Sequence, residues 1–114
     1  MSQNKEWQET CWMNESGEYE ITIFDVLDLL KYEPVIFVKL DDLSHIKDLS
    51  LYNDRIAEAN LSYPIIITEK AGSYIRILDG HHRRAKATLD GEEYICAKIL
   101  RFSCIPVQFQ WLTN

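Results

Sequence analysis

A chain of 114 residues is long enough to bury one continuous core and too short for two, so a single domain over 1–114 is expected. Hydrophobic residues make up 46% and charged residues 26% of it, which is globular rather than disordered composition. The formal net charge of -6 argues against a general affinity for nucleic acid or anionic membrane, since phosphate surfaces are held mainly through clustered Lys and Arg.

The charge is unevenly spread. Residues 1–74 carry 6 basic and 14 acidic side chains, whereas residues 75–114 carry 6 and 4, so an anion would be drawn to the second region. The 3 cysteines, Cys11, Cys96 and Cys104, are odd in number and lack CxxC spacing. They predict reduced thiols, with no disulfide framework and no zinc or other metal site. No apolar run approaches the ~20 residues that cross a bilayer, and the start has no apolar signal region, so a cytoplasmic location without membrane contact is expected.

In chain order, Met1 to Gly17 is polar with Trp7, Cys11, Trp12 and Met13 interspersed. Asn14 to Gly17 predicts a turn, and the tryptophans predict a segment docked on the body or on a partner. Thr22 to Lys31 predicts a helix, with Ile23, Val26, Leu27 and Leu30 at helical spacing and Thr22 with Asp25 as a capping pair. Pro34 closes it, because proline disfavours helical geometry in the residue before it. Val35 to Leu40 predicts a buried strand, and Leu49 to Asn60 a helix with Tyr52, Ile56 and Ala59 turned inward.

Tyr63 to Thr68 is rich in branched residues and is the strongest strand signal, with Pro64 at its start. Glu69 to Ser73, containing Gly72, links it to a second strand, Tyr74 to Leu78, as a hairpin. Asp79-Gly80 breaks that strand. His82 to Leu89 predicts a short helix with Ala85 and Leu89 on its apolar face and Gly91 beyond its end. Tyr94 to Leu100 predicts a strand, and Phe102 to Trp111 a last strand or extended arm. The fold class expected is α+β: a small mixed sheet with flanking helices.

A strand that ends in Asp79-Gly80 and runs into a helix presents the N–H groups of the first helical turn, which favour an anion together with the helix dipole. Gly80 permits close approach of a ligand, Arg83 can fork onto phosphate oxygens, and His81 and His82 can donate or titrate. Taken only as residue types, the same features describe an ordinary turn, second-layer histidines and a solvated Arg83-Arg84 face.

The order Tyr63-Pro64-Ile65-Ile66-Ile67, hairpin, Ile77-Leu78-Asp79-Gly80-His81-His82-Arg83-Arg84-Ala85-Lys86-Ala87, Gly91 and Tyr94 to Ile99 resembles that of ParB/sulfiredoxin-like domains. The likeness covers about residues 35–100, leaving 1–34 as an N-terminal extension and 101–114 as an arm. The DGHHR form is similar to that of free serine kinases and of small ParB-like proteins common in phage genomes. The resemblance implies phosphate contacts for Asp79, Gly80, His81, His82, Arg83 and Arg84, and a nucleoside triphosphate with Mg²⁺ as ligand.

Departures from the pattern narrow this. His81 stands where sulfiredoxins have Cys, which argues against sulfinic-acid reduction; Ala85 replaces the second arginine of partition proteins, and no helix-turn-helix follows. The kinase-like reading needs a carboxylate after the first strand. Asp41, Asp42 or Asp48 could act there as base or magnesium ligand, with His82 beside them, although no glutamate aligns. Three functions follow as expectations: a nucleotide-phosphate-binding phosphotransferase or NTP hydrolase; a non-catalytic interaction protein, such as a phage product that binds a host or viral protein; and a ParB-like DNA-directed nuclease. The overall acidity counts against DNA as partner.

Overall fold

A computed structural model describes residues 11–47 and 51–114. The chain begins with a hairpin of β1 (Cys11–Met13) and β2 (Glu20–Thr22), in which Trp12 lies opposite Ile21 and both are buried. The turn expected at Asn14 to Gly17 joins them, with the Gly17 N–H donating to the Asn14 carbonyl at 3.0 Å. Helix α1 (Ile23–Leu29) follows at once because Thr22 caps it. The Asp25 N–H donates to the Thr22 hydroxyl at 3.2 Å and the Asp25 carboxylate accepts the Thr22 N–H at 3.0 Å, a complete capping box.

The main sheet holds β3 (Ile36–Lys39), β4 (Ile65–Lys70), β5 (Ser73–Asp79) and β6 (Tyr94–Arg101) in the order β3-β6-β4-β5. Strand β6 runs antiparallel to β3 and parallel to β4, and β4 is antiparallel to β5, so the sheet is mixed as expected. Ala71 and Gly72, both at positive φ, form the two-residue turn whose twist suits the β4–β5 hairpin. Alternation of side chains through the apolar runs fills both faces. Ile66, Leu78 and Leu100 join Trp12, Ile23, Val26 and Leu112 on one face; Ile65, Ile67, Ile77 and Ile99 join Leu43, Ile46 and Ala87 on the other.

Helix α2 (Asn53–Glu58) precedes β4, and α3 (His81–Leu89) connects β5 to β6 across the second face. Gly91 ends α3 as expected: its N–H donates to the Thr88 carbonyl and the Glu92 N–H to the Ala87 carbonyl, a Schellman closure. Between β3 and α2 the chain forms a short 3-10 helix, Leu40–Leu43, and crosses the second face. Among the described residues, no helix is long and apolar enough to cross a membrane.

Four expectations are corrected. Among the described residues β3 is an edge strand, paired with β6 alone, and its Phe37 is 75% exposed rather than buried. Helix α2 starts at Asn53; Ala59 is buried beyond its end, Ile56 is half-buried and Tyr52 is exposed. The inward side of α3 is Arg83, Arg84 and Ala87, whereas Leu89 faces out. The tail forms 3-10 helices, Phe102–Cys104 and Val107–Thr113, because β6 already has a neighbour on each side. A chain leaving the middle of a sheet has no open edge, and Ile105 and Leu112 bury against the first face instead. Trp7 and Asp48 lie outside the described residues.

Candidate functional site

The β5–α3 turn is where the sequence places it. Asp79 ends the strand, Gly80 sits at φ 102°, and α3 begins at His81. A side chain at Gly80 would run into Ile65 of β4, whose Cβ would lie 2.8 Å and Cα 3.2 Å from the added carbon. The glycine therefore lets one strand end pass close over another, and it would be required whether or not a ligand bound.

The charged groups of the turn face inward. Arg83 is 4% exposed, and its guanidinium donates to the Asp79 carboxylate at 2.8 Å and to the Pro64 carbonyl at 3.1 Å. Arg84, also buried, donates to the carbonyls of Leu43 at 2.8 Å and of Ile46, tying the crossover to α3. It is a clamp rather than a solvated face.

His81 and His82 are buried as well. The Tyr52 N–H donates to Nε2 of His82 at 3.0 Å, so that nitrogen offers a lone pair and the ring carries its proton on Nδ1. The Tyr52 ring lies nearly parallel to it, with centroids 6.0 Å apart. Other positive charges in the second half of the chain are also matched by groups of the fold. Lys86 donates to the Ala57 and Ala59 carbonyls past the end of α2, Lys98 to the Leu30 carbonyl at the end of α1, and Arg101 pairs with Glu33 at 2.7 Å.

The neighbouring carboxylates diverge. Asp41 borders a mostly apolar groove with Leu40, Ile56, Arg84, Ala85 and Leu89, whereas Asp42 borders a different hollow. Among the described residues, no group of three or more His, Cys, Asp or Glu side chains is arranged to hold a metal ion. Asp48, the third carboxylate expected, lies outside the described residues.

The hollow that Asp42 borders is a cleft of about 860 Å³ on the second face of the sheet. Its floor is Ile36, Ile75 and Ile99, and its rim carries Asp42, His45, Glu69, Ser73 and Arg101. Register puts it at the opposite end of the sheet from Gly80: β5 runs from Ser73 at the cleft to Asp79 at the turn, roughly 20 Å of strand. His45 donates from Nε2 to the Tyr74 carbonyl at 2.6 Å, which pins the crossover to the β5 edge. Serine, histidine and aspartate thus share the cleft without the hydrogen bonds of a triad, since nothing joins His45 to Ser73 or Asp42.

Sequence reasoning missed this cleft. Glu69 and Arg101 meet only through the parallel β4–β6 register, 32 positions apart, so no local pattern announces them. No family of known proteins, no curated protein and no solved structure matches the chain.

Proposed function

We propose that this chain is a non-catalytic interaction protein built on a ParB/sulfiredoxin-like fold, in which the Asp-Gly-His-His-Arg turn has become part of the framework. The observation that carries the reading is the direction of the two guanidinium groups. Arg83 and Arg84, the forks that would grip phosphate, are both buried and donate to Asp79 and to the carbonyls of Pro64, Leu43 and Ile46. To hold a nucleotide the turn would have to give up a buried ion pair and reopen its packing against Ile65. Of the carboxylates expected to hold magnesium, the two described, Asp41 and Asp42, border separate hollows.

A second reading, nucleotide-phosphate binding, is favoured by one observation. The left-handed Gly80 leads straight into α3 with His81, His82 and Arg83 in its first turn, the backbone form of an anion cradle. Titration of the wild-type protein with ATP, GTP, CTP and UTP, with and without Mg²⁺, separates the two by calorimetry and amide chemical shifts. The expected result is no saturable binding. Saturable binding of any of them, with shifts at His81 to Arg83, would overturn the non-catalytic reading.

A further inference from the structure

We infer that the cleft at the Ser73 end of the sheet binds an organic cation on an aliphatic stem, as carried by a lysine or arginine side chain or by a free alkylamine. The inference rests on the non-catalytic reading and gives it a ligand class. Ile36 and Ile75, both half-buried, offer an apolar floor along which a hydrocarbon stem can lie, and the buried Ile99 closes it from beneath. Above them stand two carboxylates on different walls, Asp42 on the crossover and Glu69 on β4.

Charge at the rim favours a cation over an anion. Arg101, the one guanidinium at the cleft, is matched by Glu33 at 2.7 Å, so it cancels a neighbour rather than repelling a guest. His45 holds the Tyr74 carbonyl through Nε2 and is oriented by that bond. Glu69 is fixed in advance, because one of its oxygens accepts the Gly72 N–H at 2.9 Å at the hairpin tip. A carboxylate held before binding loses less freedom when it meets a cation. The volume, about 860 Å³, lies within the roughly 300 to 1,000 Å³ common for organic ligands.

The test uses two probes and a control on the intact protein, followed by amide chemical shifts: hexylammonium, an acetylated and amidated Gly-Leu-Lys-Leu-Gly peptide, and hexanoate. Saturable shifts at Ser73, Tyr74, Ile75 and Arg101 are expected with at least one cationic probe and none with hexanoate. Tighter binding of the peptide would assign the cation to a polypeptide partner, and tighter binding of the amine to a small molecule. Changing Asp42→Asn and Glu69→Gln together should weaken binding by about tenfold or more, because charge-assisted hydrogen bonds are lost. If the Glu69 change disturbs the hairpin, Asp42→Asn alone should weaken it by about threefold or more. No shifts from either cationic probe, equal binding of hexanoate, or affinities that ignore the carboxylate changes would overturn the inference. Nucleotide binding at α3 would instead sink the non-catalytic reading and leave the cleft result standing.

Discussion

Replacing Arg83 by alanine tests whether the turn is framework or ligand site, because the two roles carry different stability costs. Asp79 and Arg83 are each 4% exposed and 2.8 Å apart, so the change removes a cation in direct contact with a buried carboxylate. Loss of one partner from such a pair costs about 3 to 5 kcal/mol, against about 0 to 1 kcal/mol for a solvated pair. Asp79→Ala should fall toward the lower end, since Arg83 keeps the Pro64 carbonyl at 3.1 Å. For a domain of this size each kcal/mol lowers Tm by roughly 4 °C, so Arg83→Ala should melt about 12 to 20 °C below wild type. Urea unfolding of both single variants and the double variant would give the coupling directly. A loss under about 1 kcal/mol for Arg83→Ala would show that the pair is solvated in solution and poised for a ligand. The framework argument would then fail.

Gly80→Ala combines a left-handed backbone with the collision against Ile65 and should cost about 2 to 4 kcal/mol in urea unfolding, whereas Gly91→Ala, at φ 75° with open space around it, should cost about 1 to 2 kcal/mol. Equal losses at the two positions would remove the argument from close approach. Thr22→Ala should cost about 1 kcal/mol through loss of the α1 cap, measured by the same method. The Thr22 N–H and hydroxyl hold the Asp25 carboxyl below its ordinary 3.8, so Asp25 stabilises the fold above that pH and its contribution fades as pH falls through the lower, folded value. Asp25→Asn should therefore flatten that part of the acid unfolding curve, and an unchanged curve would contradict the capping geometry.

Local chemistry was legible in the sequence and direction was not. The Thr22–Asp25 box, the Gly72 hairpin, the Gly80 break and the Gly91 stop each depend on neighbours a few residues apart, and each stands where expected. Helix α3 shows the limit. Apolar spacing pointed to Ala85 and Leu89 as its inner face, yet Arg83 and Arg84 lie inward because acceptors at Pro64, Asp79, Leu43 and Ile46 await them. Those acceptors are mostly main-chain carbonyls, which every residue carries, so no residue type marks them. The edge position of β3 was hidden for a related reason: an apolar run reads the same at the edge of a sheet as in its middle, and only the strand order separates the two.

The Arg84 clamp also bears on the order in which the molecule assembles. Its two carbonyl partners lie 41 and 38 positions earlier in the chain, so the crossover can be fastened only after α3 has formed and docked. Contacts of such long sequence separation form late, since closing the intervening loop must come before they reward it. The crossover and α3 should therefore open as one cooperative unit, and hydrogen exchange at Ser44 and Ile46 should follow that of α3 rather than that of the neighbouring β3.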